Sequence, residues 1–373
     1  MRIFAAAIFT AASLCAAPGG PQIHRRQPFQ GTAGAWLDTD YTNRVAITID
    51  SAQVSSTLTN FPVYIDLSDL PAAFFSAIQA DGDDIRASDA GHTATRHIDT
   101  VRIDTSGQTG EIHVLLPTVS SSVSTVFYLY YNCASCGAYS TPEDVWDATG
   151  ANFMAVYHMD ADGNLAQPSA TGVAAIDADS ANQESGDSVA GKMGNAIDYD
   201  GSNEYNSVPQ SDAATYLQPD TSMTMSAWFA ADDFSDQVFF GNQMDSTSKG
   251  IAWWIWSSNI RPSITSTGWT NLTESTSGKS AGTWYHVAAT WDGITGRLYF
   301  NGSEVDSHSL DGSHSWALQP CYFARRESGS YYDGKLDEVR LHDATLSADW
   351  ISAEYTNQNT PTTFYTVGTP EAQ

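Results

Sequence analysis

The residues of this 373-residue chain best suited to chemistry are flat aromatics and short acids. In the run Ile251 to Trp256, IAWWIW, Ile251, Trp253 and Ile255 share one face of an extended strand, while Ala252, Trp254 and Trp256 share the other. Both faces cannot belong to one inner core. Indoles left on an outward face can stack on pyranose rings, which are apolar on their faces and hydroxylated at their rims. Trp254 and Trp256 are therefore the first candidates for carbohydrate contact, with Trp269, Trp316, Tyr331 and Tyr332 in loops or strand ends that could rim the same surface. The competing reading is that these tryptophans fill a second interface, for instance against the first domain.

The acids offer less. Asp81, Asp83, Asp84 and Asp89 cluster in one turn, but an EF-hand loop needs alternating oxygen ligands, a glycine at its sixth position and a glutamate at its twelfth, and that order is missing. A solvated turn is the simpler reading, a non-EF calcium site the other. Glycoside hydrolysis with retention needs two carboxyl groups about 5 Å apart, which a strand supplies at alternate positions. No Glu-x-Asp-x-Glu run occurs, and the adjacent Asp337 and Glu338 are expected on opposite faces. Neither a G-x-S-x-G elbow in strand context nor a metalloprotease helix is present. His286 and Thr290 share a face of one strand without further partners in sequence. No residue is assigned a catalytic role.

Sixteen basic residues against forty-three acidic ones give a formal net charge of -27, so phosphate backbones and anionic membranes would be repelled. Nucleic acid is excluded as a partner, and membrane insertion is not expected. Met1 and Arg2 precede the apolar run Ile3 to Leu14 and the small residues Ser13 to Ala17, which is the pattern of an export signal over residues 1–17. A Gly/Pro/Gln-rich linker follows over 18–35, with Arg25-Arg26 as a candidate processing site. The protein is thus expected outside the cell. There, Cys133 and Cys136 in YYNCASCGAYS are expected to form a local disulfide, because zinc would need two further ligands nearby and a thioredoxin-like site would need a helix after the pair. Cys321 is left as a thiol, and the oligomeric state is not legible.

These residues must be positioned by strands. Apolar residues make up 42 % of the chain and aromatics 12 %, with abundant Gly, Ser, Thr and Asp, the composition of short strands joined by turns. Gly282 to Asp306, GTWYHVAATWDGITGRLYFNGSEVD, alternates on either side of Asp292-Gly293 and again meets a tight turn at Asn301-Gly302, so it reads as a β-meander. Alternating runs at Asn43 to Asp50, Phe61 to Leu67, Asp99 to Asp104, Gly110 to Leu116 and Thr125 to Tyr131 mark an earlier sandwich. The expected architecture is all-β, two β-sandwich domains over residues 36–150 and 151–368.

Several motifs then carry resemblances. LTNFPVYIDLS, ADGDDIRASDA, EIHVLLPTVSSSVSTVFYLYYN and PEDVWD, in that order, resemble the domain-of-unknown-function family 2341 over about residues 36–147. The cysteine pair departs from that family's plain turn. The YDG strand end, MSAWF, GTWYHVAATWDG, RLYFNG and GKLDEVRLHDATLSADWI resemble the laminin-G-like, concanavalin A-like jelly-roll superfamily over about residues 152–368. That resemblance implies a jelly roll with a shallow concave outer surface, structural roles for Trp228, Trp284, Trp291 and Trp350, and a structural calcium ion near the first and last strands, with Asp160 and Asp337 as ligands. The superfold hosts lectins, adhesion modules and glycan-active enzymes alike. The functional expectation is a secreted protein that binds a polysaccharide or a glycoprotein glycan. The alternatives are a polysaccharide-degrading enzyme of the same superfamily and a purely structural extracellular module.

Overall fold

The computed structural model describes residues 36–146, 152–160, 165–218, 222–241, 251–265, 269–309, 320–326 and 329–373. The expected export signal and linker lie outside the described residues, as does Trp316. Among the described residues most regular structure is antiparallel strand, gathered into four sheets. Among the described residues no helix is long and apolar enough to cross a membrane.

Alternation builds the first sandwich. Asn43–Ile49 turns Val45, Ile47 and Ile49 inward, and Thr125–Tyr131 answers with Phe127, Leu129 and Tyr131, in the register Val45 to Leu129 and Ile47 to Phe127. Facing them is a three-stranded sheet in the order Leu58–Asp66, Thr109–Val119, Ile98–Asp104. Its inner face is Phe61, Val63, Ile65, Ile112 and Val114, all buried in the same core. Cys133 and Cys136 form the expected disulfide just beyond the Thr125–Tyr131 strand, and Cys321 is a buried free thiol.

The second sandwich is two eight-stranded sheets. One runs Ser188–Ala190, Asn195–Asp200, Asp333–His342, Met223–Ala231, Tyr285–Trp291, Thr295–Phe300, Ser303–Ser309, with Phe153–Tyr157 added beside Asp333–His342. Its last three strands are the expected meander, and Asn301 and Gly302 at the turn have φ of 48° and 77°, a conformation open to asparagine and glycine. The other sheet contains Asn259–Thr265, Ile251–Trp256, Gln237–Gly241, Cys321–Phe323 and Tyr205–Val208. Between the two sheets lie Tyr157, Phe229, Phe239, Trp253, Val287, Leu298 and Leu336.

The end of the chain differs from the expected boundary at 368. Tyr365–Val367 pairs with Ile47, Thr48 and Ile49, and Glu371–Ala372 pairs with Asn43 and Arg44, so these strands complete the first sandwich. The helix that leads back, Ala348–Asn359, is capped by Ser347, whose hydroxyl accepts from the Trp350 amide. It covers the edge of the three-stranded sheet. Asn357 Oδ1 accepts from the Tyr64 amide at 2.8 Å and Asn357 Nδ2 donates to the Tyr64 carbonyl at 2.9 Å, which occupies backbone groups that a bare edge would leave open. Trp350 stands edge-on to Phe61, ring centroids 4.9 Å apart, inside the first core. Replacing Trp350 by alanine should cost about 3–5 kcal/mol of unfolding free energy, read by urea denaturation, through the cavity left beneath the helix.

Candidate functional site

The Ile251–Trp256 strand divides as its alternation dictates. Ile251, Trp253 and Ile255 enter the core of the second sandwich, with Trp253 edge-on to Phe239 at 5.6 Å. Trp254 and Trp256 point outward, half-buried and 39 % exposed respectively, with ring centroids 6.1 Å apart and planes at 78°. Across the strand, Arg261 pairs in register with Trp254, and the Arg326 guanidinium lies 5.8 Å from the Trp254 ring centroid. Further along the same sheet, Arg325 lies 4.3 Å from the Tyr205 ring, 4.7 Å from Tyr322 and 5.6 Å from Tyr331. The outward face therefore combines indoles and phenols with three of the chain's sixteen basic residues.

Two expected members of this surface fare differently. Tyr331 is half-buried beside Arg325. Tyr332 is corrected: it is fully buried between the sheets near Phe239, its hydroxyl donating to the Lys335 carbonyl at 3.2 Å, so it presents no face to a ligand. Trp269 begins the short Trp269–Asn271 strand beside Asn259–Thr265. His286 is buried between Trp228 and Tyr355, with its basicity pushed down to about 3 by burial and by Arg340.

The second site lies where the sandwiches meet. On Thr109–Val119, Ile112 and Val114 face the first core, so Glu111 and His113 project from the other side, and Asp99 is opposite His113 in the register. On Asp333–His342, Leu336, Val339 and Leu341 face the second core, leaving Asp337, Glu338 and Arg340 outside. The expectation that Asp337 and Glu338 point apart is corrected. Glu338 has φ of 48° at a register shift opposite Ser226–Trp228, and this bulge puts both carboxylates on the junction side. His158 and Asp160 follow Tyr157 at the end of the Phe153–Tyr157 strand, and Glu354 comes from the covering helix.

These side chains make one network. His113 Nε2 is 2.9 Å from Glu111 Oε1. His158 sits between two acids, Nε2 2.9 Å from Asp99 Oδ2 and Nδ1 in contact with Glu338 Oε1. Trp146 Nε1 also donates to Asp99 Oδ2, at 2.6 Å. Arg340 donates to Glu338 Oε2 through Nε at 2.9 Å and to Glu354 Oε1 through Nη1 at 2.8 Å. Asp337 Oδ2 accepts from the amides of Lys192 and Met193 at 2.7 and 2.9 Å, and Arg102 reaches Asp160 Oδ1 at 3.3 Å. A Cβ on Gly194 would stand 2.6 Å from Glu111 Oε2 and 3.4 Å from Asp160 Oδ2, so the turn at Gly191–Gly194 closes tightly over these acids.

Burial dominates the electrostatics. It raises Glu111 and Asp337 well above the usual carboxylate range, and the neighbouring Glu338 charge raises both further. Burial opposes charge on His158, yet Glu338 and Asp99 hold the imidazole well above its ordinary value. His158 and Arg340 in turn overcome burial at Glu338 and hold it low, while burial pushes His113 well down toward the neutral form. Glu111 Oε2, His113 Nδ1 and Asp337 Oδ1 are buried without a hydrogen-bond partner among the described residues. The buried oxygens of Glu111 and Asp337 without partners make this acid-rich junction a candidate cation site.

The family match falls in the second sandwich. Residues 200–352 match the family model described as the Concanavalin A-like lectin/glucanases superfamily. None of the curated proteins matches the chain. Similar solved structures include the receptor binding domain of botulinum neurotoxin C/D mosaic serotype, 14 % identical over 56 % of this chain and 51 % of that one, with a TM-score of 0.44. Domain 4 of AbnA, a GH43 extracellular arabinanase from Geobacillus stearothermophilus, in complex with arabinotriose, is 19 % identical over 54 % of this chain and 97 % of that one, TM-score 0.41. The binding domain of Paraclostridial Mosquitocidal Protein 1 is 15 % identical over 55 % and 52 %, TM-score 0.43. The chain spans about half the length of the toxin domains. The family match does not extend to the first sandwich.

Of this network the sequence reading had singled out Asp160 and Asp337, and it missed Glu111, His113, His158, Glu338 and Arg340 as site residues. A signal existed: Glu111 and His113 alternate with Ile112 and Val114, which places charge on one face of a strand whose other face is core. Replacing Arg340 by methionine should cost about 3–5 kcal/mol in urea unfolding, because Glu338 and Glu354 lose their buried counter-charge. Adding Glu354→Gln to that variant should recover part of the loss.

Proposed function

We propose that the protein is an extracellular carbohydrate-binding protein whose ligand lies across the outward face of the second sandwich, and that the ligand is an acidic polysaccharide. The observation that carries this reading is the outward pair Trp254 and Trp256 on a strand whose alternate residues build the core. Core packing therefore holds the indoles in place on the outward face, where flat aromatic rings can stack on sugar rings. Arg261, Arg325 and Arg326 favour an acidic sugar. In a chain of net charge -27, these guanidinium groups put local positive charge beside the stacking aromatics, where it acts at contact distance on a carboxylate or sulfate.

Affinity electrophoresis through neutral and uronate-containing polysaccharides tests this. Retardation is expected in the uronate gels, falling at least about tenfold in affinity in Trp254→Ala and Trp256→Ala, a loss of about 1.4 kcal/mol each. Arg326→Ala should weaken only the acidic polymers. No retardation in any gel, or a large fall in melting temperature in the tryptophan variants, would count against the reading.

Calcium enters the proposal as a structural ion held by Asp160 and Asp337. Adding calcium to chelator-treated protein should raise its melting temperature, and Asp337→Asn should abolish the rise in differential scanning calorimetry. An unchanged melting temperature removes the ion.

A further inference from the structure

Apart from Asp160 and Asp337, the junction holds a donor set of mixed nitrogen and oxygen atoms. One ligand atom from each of Glu111, His113, His158 and Glu338 lies within 4.8 Å of every other. The atoms come from three strands and both sandwiches: Thr109–Val119, Asp333–His342 and the end of Phe153–Tyr157. We infer that Glu111, His113, His158 and Glu338 form a binding site for a single zinc-class divalent ion that ties the two sandwiches together.

Donor type, donor spacing, orienting contacts, charge and access carry this. Two imidazoles and two carboxylates are the ligands of a tetrahedral nitrogen-and-oxygen site, whereas calcium and magnesium take oxygen donors. Four ligands around zinc at about 2.0–2.1 Å stand about 3.3 Å from one another. Glu111 Oε1 is already 2.9 Å from His113 Nε2 and 3.8 Å from His158 Nδ1, so small movements suffice.

The surrounding groups are those that orient metal ligands. His158 turns Nδ1 toward the other donors while Nε2 is held by Asp99 Oδ2 at 2.9 Å, the carboxylate–histidine arrangement that sets ring orientation, and Asp99 is itself fixed by Trp146. Glu338 directs Oε1 to the cluster while Arg340 holds Oε2 at 2.9 and 2.5 Å.

Charge points the same way. Asp99, Glu111, Asp337, Glu338 and Glu354 are buried, and the Asp160 side chain is 5 % exposed. The cations facing these six acids are Arg340, Arg102, Lys192 and His158. Carboxyl groups therefore outnumber cations in a region where an unpaired charge is costly, and Glu111 Oε2 is left with no hydrogen-bond partner among the described residues. Finally, the ion has a route: a cleft of about 240 Å³ lined by Asp99, Thr100, Glu143, His158, Asp160 and Ser169 leads to His158.

The full chain, stripped with chelator and dialysed, is titrated with zinc chloride by calorimetry and, separately, with cobalt chloride by visible absorption. One equivalent of zinc should bind, and saturating zinc should raise the melting temperature by about 5 °C. Cobalt should give the absorption of a four-coordinate nitrogen-and-oxygen site. His113→Ala and His158→Ala should each lose at least about tenfold in zinc affinity, or about 1.4 kcal/mol. Should either variant fail to fold, the wild-type cobalt spectrum decides: a four-coordinate band supports the site and an octahedral aquo spectrum overturns it. Zinc binding that survives both histidine replacements, no binding at all, or stabilisation by calcium but not zinc also overturns it. None of these readouts depends on polysaccharide, so the two proposals fail separately.

Discussion

A carboxylate taken out of water loses a solvation energy that idealised estimates put near 20 kcal/mol, and even after relaxation several kcal/mol must be returned by a neighbouring charge or a dense set of hydrogen bonds. The junction between the two sandwiches is built around that requirement. Asp99 and Glu111 from one side meet Glu338 and Asp337 from the other, and His158 and Arg340 stand between them. A sheet normally hides one apolar face and wets the other. Here the polar faces of two sheets are pressed together, so their charges must answer one another across the contact.

That constraint explains features that would otherwise look incidental. The bulge at Glu338 breaks a register that runs cleanly on either side, and its effect is to place two consecutive acids on one face. The turn at Gly191–Gly194 approaches so closely that a side chain at Gly194 would strike Glu111. The covering helix supplies Glu354 to Arg340 and Asn357 to the strand edge at Tyr64, so one element satisfies both charge and backbone. Chain return through Tyr365–Val367 then ties the junction to the first sandwich a second time.

The proposed ligand face obeys a simpler rule. Strand alternation sends Trp253 inward and its neighbours outward, and the packed core behind them holds the indoles at fixed spacing. Nothing about that face requires the junction. The proposed ligand face and the charged junction thus occupy different sheets of the same unit, the first facing solvent and the second facing the other sandwich.

Period-2 alternation, turn chemistry and the cysteine pair were enough to read an all-β chain, the Gly282 to Asp306 meander, the two faces of Ile251–Trp256 and the Cys133–Cys136 bridge, because each is a local property of neighbouring residues. Asp160 and Asp337 came from resemblance. Which residues share a space across long separations was not legible: Glu111 and Glu338 are more than two hundred positions apart, and only the packing of one sheet on another joins them. The same holds for Tyr332, whose burial is set by sheets on both sides, and for the final strand, which pairs with the first. The sequence by itself determined the pleat of each strand and hence which side chains share a face. The tertiary structure decided what each face meets, since burial and charge compensation depend on neighbours that no local pattern encodes.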